Sequence, residues 1–254
     1  MRFFIDETDQ RNVYCGELLK ENGFDVCALG KTSDVPLRGD ILLFSPAKRF
    51  EEPEILALPE EITLICGNIN EMYAKTLEDK KIKHINLLAD EKFAIKNANL
   101  TAEGVLAIIL EKYRKSIYDA SYMILGGGRI AKALAILFSK LGLRFSIVTF
   151  NPKKYPEYFL YTNNVFFKTE FVEKLGEYQI IINTIPSRII DDEIMKKIPC
   201  DTMMIETASV DCLDKTKVEN FDFIPAPALP KKYSCESAGR VVFETIMEAI
   251  YDRK

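Results

Sequence analysis

Short apolar runs alternate along the chain with stretches whose apolar residues recur at helical spacing. Runs at 2–5, 26–29, 41–44, 63–66 and 85–88 read as buried strands. After the first, the polar stretch 6–9 opens a helix, Val13, Leu18 and Leu19 give it an apolar side, and Gly23 closes it. A further helix is predicted near 70–77. Strands alternating with helices at this spacing predict a parallel sheet covered on both faces. Residues 97–117 read as a connection. Polar 97–101 leads into a helix carrying Val105, Leu106, Ile108, Ile109 and Leu110, with Thr101 as its N-cap. Strands follow at 122–125, 145–149, 178–182, 202–206 and 223–226, and 165–167 is strand or coil. Helical spacing marks 130–141, a turn at 171–175, the segment 189–198 and a long final helix at 236–251. The fold class is therefore α/β, with an N-terminal domain before about residue 97 and a second domain after it.

The second domain opens on the most informative stretch. An apolar strand enters Gly126, Gly128 and Ala131 at the spacing G-x-G-x-x-G/A, and a helix and a second strand follow. The first position permits a sharp turn, the second lets a pyrophosphate approach the backbone, and the third keeps helix close to strand. The helix N-terminus offers N–H groups and a positive dipole end to phosphate. The plain alternative is a tight strand-to-helix turn with no ligand. Ligands of open α/β sheets sit outside the C-terminal strand ends. This rule gathers Gly126, Asn151, residues 184–187, Thr207 and residues 225–230 around one crevice.

NAD-binding folds usually hold the ribose 2′-OH with an acid at the end of the second strand. Here that place falls on Thr149, Phe150 and Asn151, followed by Lys153 and Lys154. A carboxylate would repel a 2′-phosphate, whereas Asn and Lys accept one, so NADP is expected, with NAD as the alternative. The bland reading of the two lysines is a solvated polar loop.

Composition narrows the classes. Hydrophobic residues make up 48% and charged residues 28% of 254 residues, which suits a globular protein. A net charge of −4 argues against a general nucleic-acid binder. No uninterrupted apolar run reaches the roughly 20 residues of a membrane span, and the acidic N-terminal start is not expected to be a signal peptide. The six cysteines form no C-x-x-C pair, so no metal site is expected and reduced thiols in the cytoplasm are the simplest account. The one histidine, His84, sits among apolar neighbours and reads as structural. Proton transfer would fall to Glu, Asp, Lys, Tyr or water, with Glu103, Glu206, Lys231, Tyr233 and Glu236 as candidates. Glu103 is either a favourable first-turn acid or a residue facing a cleft between domains. The sequence leaves the oligomeric state open, a homo-oligomer included.

Several segments together resemble the dipicolinate synthase A family: Asn99-Leu-Thr-Ala-Glu-Gly104, Leu125-Gly-Gly-Gly-Arg129, Ile182-Asn-Thr-Ile-Pro186, Glu206-Thr-Ala-Ser209 and Ala228-Leu-Pro-Lys-Lys-Tyr-Ser-Cys-Glu-Ser-Ala-Gly239. The resemblance implies two Rossmann-like domains, 98–235 binding the dinucleotide and 1–97 the substrate-side domain, with 236–254 returning to the latter. It also implies pyridine-nucleotide-dependent oxidation of dihydrodipicolinate, or its hydroxytetrahydro precursor, to dipicolinate during sporulation. A flavoprotein-like second subunit is the implied partner. The nucleotide would lie across Gly126, Gly128, Arg129 and Ile130. Its adenosine end would lie near Asn151, Lys153 and Lys154, and its nicotinamide end near Thr184, Pro186 and Thr207. Substrate would enter between domains near Thr101, the catalytic candidate Glu103 and the loop 229–237. Two features depart from the family pattern: Glu236 stands where a lysine is usual, and the turn 6–11 lacks glycine. Arg11, Arg188, Lys231, Lys232 and Arg240 remain as cations for a dicarboxylate. A dehydrogenase for another small carboxylated substrate, or a non-catalytic nucleotide- or partner-binding module, is the alternative.

Overall fold

The computed structural model describes residues 2–30, 35–151, 153 and 155–251. It divides into two compact units, Met1–Asn97 with Pro230–Lys254, and Ala98–Leu229. The return to the first unit thus begins at Pro230, earlier than the 236 expected.

In the first unit, β1 (Arg2–Ile5), β2 (Asp25–Ala28), β3 (Ile41–Leu43), β4 (Thr63–Cys66) and β5 (Lys83–Asn86) form a parallel sheet of order β2-β1-β3-β4-β5. This is the order of flavodoxin-like sheets. Alternation along each strand divides the core in two. Phe3, Ile5, Leu43 and Ile65 face one cluster, while Phe4, Leu42, Leu64 and Cys66 face the other. The first cluster is closed by α1 (Gln10–Glu21) and the final helix, which contributes Val242 and Ile246. The second takes Ile55 of α2 (Glu52–Ala57) and Leu77 of α3 (Ala74–Asp79). The strand expected at 85–88 is two residues early in the structure, because Asn86 turns the chain by accepting the Leu88 N–H on its side chain.

The expected helix start at Thr101 is corrected. A single helix, α4 (Glu91–Lys112), runs through 97–101, and the Asp90 carboxylate accepts the Phe93 N–H at its start. Thr101 is buried in the helix interior. Phe93, Ala98, Ala102, Val105, Ile108 and Ile109 are buried as well, so a long apolar face overrides the weak helix preference of Asn97 and Asn99. By length and composition alone α4 is long enough to cross a membrane, yet half of its apolar window is buried inside the protein.

In the second unit, β6 (Ser121–Leu125), β7 (Arg144–Thr149), β8 (Val165–Phe167), β9 (Ile180–Asn183), β10 (Met203–Glu206) and β11 (Asp222–Pro225) form a parallel sheet of order β11-β10-β9-β6-β7-β8. Counted from β6, this is the dinucleotide-fold order 3-2-1-4-5-6, reversing direction between β6 and β9. The α/β class and the two Rossmann-like sheets read from the sequence are confirmed. Between β6 and β7 lies α5 (Arg129–Leu141), ended by Gly142 at φ +70°. The helices between β8 and β10 are short, α6 (Phe171–Lys174) and α7 (Asp192–Met195), so the helix expected over 189–198 forms only over its middle. The stretch 229–237, expected as a loop, is helical on both sides of Ser234: α8 (Leu229–Tyr233) precedes it and α9 (Cys235–Tyr251) follows.

Helix α9 lies unusually close to α1. A Cβ on Gly239 would stand 2.6 Å from the Arg11 carbonyl oxygen and 2.7 Å from the Tyr14 Cβ. The Ala-Gly pair of the C-terminal motif therefore has a packing cause. Glu236 sits in the first turn of α9, where the helix dipole favours an acid. Cys235 and the Glu236 carboxylate, both close to the Tyr14 phenol, raise it above its ordinary range.

Candidate functional site

The reversal point of the second sheet falls between the ends of β6 and β9, and there the glycine turn meets Thr184. The Thr184 N–H and hydroxyl both donate to the Leu125 carbonyl at 2.9 Å. Gly126 turns the chain at φ +131°, and a Cβ on it would lie 2.1 Å from Thr184 Oγ1. Its N–H is tied back to the Val148 carbonyl at 2.8 Å. Gly127 is crowded too, with Thr149 Oγ1 at 2.9 Å from its notional Cβ. Gly128 differs: it caps α5 in an extended conformation, and apart from its chain neighbours no atom of the described residues lies within 4 Å of the place a Cβ would take. Ala131 is fully buried, as close helix–strand packing requires.

These glycines create a cradle suited to phosphate. The N-cap of α5 has no side chain to occupy it, no acid stands in the first helical turn, and the space over Gly128 is open. Helix N–H groups and dipole favour an anion there. Arg129 and Ile130 form the first turn, Arg129 exposed and Ile130 partly so. Lys132, one turn on, is paired with Glu157.

At the end of β7, Thr149 is buried and its hydroxyl lies 3.2 Å from both the N–H and the carbonyl of Asn151. Asn151 is exposed, and its Oδ1 accepts the Lys153 N–H at 3.0 Å. Lys153 is exposed as well. Lys154 lies outside the described residues. Beyond them Tyr155 stacks flat on Phe167 at 4.3 Å.

At the other strand ends, Thr207 repeats the device of Thr184. Its N–H and hydroxyl donate to the Asn183 carbonyl at 3.0 and 2.7 Å. Pro186 is exposed at the tip of the loop after β9. The structure thus brings Gly126 and Thr184 into contact and sets Thr207 one strand further along. Glu103 is exposed in the middle of α4, not in a first turn.

Several other candidates are differently employed. Glu206, weighed as a proton carrier, is buried and accepts hydrogen bonds from Asn183, Ala208 and Cys212. Arg11, offered as a cation for a dicarboxylate, is buried against Asp9, with Nε and Nη2 donating to its two oxygens at 3.0 and 2.7 Å. Burial pushes the Asp9 carboxyl up, but Arg11, with help from Ser45, outweighs this and holds it at about 2. Arg188 is paired with Asp214 at 3.4 Å. Lys231 donates to the Thr8 carbonyl at 3.1 Å. His84 lies half-buried, its Nε2 at 2.9 Å from the Gly67 carbonyl, and burial lowers its pKa. This is a structural role. Among the described residues no group of His, Cys, Asp or Glu side chains is arranged to hold a metal ion.

The sequence reading missed Asn183 as a structural pivot, although a polar residue ending the run Ile180–Asn183 carries that signal. It also missed the Asp9–Arg11 pair, whose two-residue spacing at a helix start left no apolar pattern to notice.

No family model matches the chain. The dipicolinate synthase A protein of Bacillus subtilis is 22% identical over 196 residues, which is 76% of this chain and 66% of that protein, just under two thirds of its length. A crystal structure of dipicolinate synthase A from Bacillus subtilis has a TM-score of 0.81 at 17% identity, covering 99% of this chain and 96% of that one. The dipicolinate synthase A structure from Bacillus halodurans has a TM-score of 0.82 at 17% identity, covering 98% of each. An NAD+-bound 3-phosphoglycerate dehydrogenase from Entamoeba histolytica has a TM-score of 0.62 at 16% identity, covering 100% of this chain and 96% of that one. The chain is similar in sequence to dipicolinate synthase A and shares the two-domain, Rossmann-like α/β fold of its structures across nearly its whole length.

Proposed function

We propose that the protein is an NADP-dependent oxidoreductase of the dipicolinate synthase A type. The observation that carries this reading is the cradle at the sheet reversal: Gly126 closed against Thr184, and Gly128 open above the N-terminus of α5. Gly126, Gly128, Arg129 and Ile130 would hold the pyrophosphate, Asn151 and Lys153 the adenosine ribose, and Thr184, Pro186 and Thr207 the nicotinamide end. Lys154 is proposed on the sequence alone. A bound nicotinamide would supply a hydride acceptor. Oxidation of dihydrodipicolinate moves one hydride from the ring and releases one proton, with Glu103 as the proposed proton carrier. The hydroxytetrahydro precursor loses water as well. The absence of acid from 149–151 favours NADP over NAD. A flavoprotein-like second subunit is the proposed partner. Six free cysteines accord with a cytoplasmic setting in a sporulating cell.

The test is incubation with the product of dihydrodipicolinate synthesis and NADP or NAD, with and without that partner, following reduced nucleotide and dipicolinate together. Equal yields of the two support the proposal. The engagement of Arg11 by Asp9 favours a second reading, a dehydrogenase for a different carboxylated substrate. Reduction of nucleotide by other small carboxylates but not by dihydrodipicolinate would select it. Nucleotide binding with no turnover would select a non-catalytic module.

A further inference from the structure

We infer that Asn183 and Glu206 act as a positioning pair, a hydrogen-bonded frame that sets the loops proposed for the nicotinamide end of the nucleotide. The inference rests on the nucleotide reading above. Both residues close apolar strands, and both are buried, at 0% and 2% exposure. Each Glu206 oxygen takes two donors. Oε1 accepts from Asn183 Nδ2 at 2.8 Å and from the Ala208 N–H at 2.9 Å. Oε2 accepts from the same Nδ2 at 3.0 Å and from the Cys212 N–H at 2.9 Å. These hydrogen-bond donors are neutral groups aimed at one side chain. An ionised carboxylate, which only accepts, satisfies them together; an amide or a protonated acid turns a hydrogen toward a donor.

Asn183 carries the frame into the neighbouring loop. Its Nδ2 also donates to the Ile185 carbonyl at 3.0 Å, and its Oδ1 accepts the Ile185 N–H at 3.1 Å. Its backbone carbonyl receives both donors of Thr207. Further along, the N–H groups of Ile189 and Ile190 meet the Cys212 carbonyl at 2.9 and 3.0 Å. The loops after β9 and β10 are thus one unit keyed on a single carboxylate, and Thr184, Pro186 and Thr207 ride on it. Gly128 and the first turn of α5 make none of these bonds. The pair therefore acts first on one end of the proposed site and reaches the phosphate end only through Thr184, which packs against Gly126.

The test compares whole nucleotide with its nicotinamide-free fragment on the full chain: NADP against 2′-phospho-ADP-ribose, and NAD against ADP-ribose, by titration calorimetry. Glu206→Gln keeps the shape and puts an NH2 donor in place of one of the two acceptor oxygens. The expected result is about tenfold weaker binding of the whole nucleotide, the loss of roughly one buried hydrogen bond, with the fragment within about twofold of wild type. Equal weakening of both ligands, or unchanged binding of both by the folded variant, overturns the inference. Should Glu206→Gln not fold, Asn183→Ser withdraws the amide from Glu206 and from the Ile185 carbonyl while leaving every residue proposed to touch nucleotide in place, with about threefold expected on the whole nucleotide alone; equal effects on both ligands overturn the inference there too. A wild-type chain that binds neither nucleotide nor fragment overturns the nucleotide reading itself, and the role of the pair with it.

Discussion

Thr184 Oγ1 occupies the space that a side chain on Gly126 would need, 2.1 Å from the notional Cβ. The same hydroxyl donates to the Leu125 carbonyl, so swinging away would forfeit that bond. The turn is therefore closed from the β9 side by a threonine and made possible from the β6 side by a glycine. It stands at the one place in the second sheet where the strand order reverses, which is where open α/β sheets bind ligands.

The two outer glycines of the turn should respond differently to a single methyl group. Gly126→Ala meets Thr184 and a φ of +131°, and should lower stability by about 2–4 kcal/mol in urea unfolding. Gly128→Ala meets nothing and has an ordinary extended φ, so it should lose less than about 1 kcal/mol. Its methyl group would instead stand where phosphate is proposed, and nucleotide binding should weaken about tenfold or more. Unchanged binding by Gly128→Ala would remove the phosphate from this position.

Nucleotide choice should turn on Asn151. Wild type is expected to bind NADP more tightly than NAD, because no carboxylate stands at 149–151 and Lys153 is exposed beyond it. Asn151→Asp should reverse the order, by about tenfold in the ratio of dissociation constants, through repulsion of the 2′-phosphate and a hydrogen bond to the ribose 2′-OH. Tighter NAD than NADP in wild type contradicts the assignment at once.

How much of this was legible in the sequence follows from where the signals are local. The strand–glycine–helix–strand passage around Gly126 was readable because apolar periodicity and turn chemistry agree there. The start of α4 was misread because Asn97, Asn99 and Thr101 look like a helix boundary locally, and only the buried face running from Phe93 to Ile109 shows that they lie inside a helix. Glu206 looked like a free acid because its donors are the Asn183 side chain on the neighbouring strand and backbone amides of the loop beyond it, a convergence that spacing does not encode. Arg11 looked like a free cation because a bidentate pair with Asp9 depends on side-chain geometry that spacing does not encode.

Gly239 offers a test of the C-terminal motif as packing. Gly239→Ala places a methyl group against the Arg11 carbonyl and the Tyr14 Cβ, both on α1 and both backbone-bound. Helix α9 must move outward, loosening Val242 and Ile246 from their core cluster. A loss of about 2–3 kcal/mol is expected in urea unfolding. Gly176→Ala, at a position open to 4 Å, is the control and should cost less than about 1 kcal/mol. Equal stability of the two variants would mean that α9 has room to shift.

Acid should unlock the Asp9–Arg11 pair over a narrow window. The Asp9 carboxyl titrates at about 2 in the folded chain against an ordinary 3.8. A carboxyl lowered on folding contributes stability that is full above the unfolded value and is lost as pH falls toward the folded one. The contribution, about 2 kcal/mol, should therefore be present at pH 5 and decline between pH 4 and pH 2. Asp9→Asn removes it at every pH and leaves the Arg11 guanidinium buried without its charge partner, which should lower stability at neutral pH by about 3–5 kcal/mol. Other carboxylates titrate over the same range, so the informative quantity is the difference between wild type and Asp9→Asn in urea unfolding. That difference should shrink as pH falls from 4 to 2, because the wild-type pair is being protonated while the variant has nothing there to lose. Were it to stay constant, the buried arginine would be balanced by something other than the Asp9 charge.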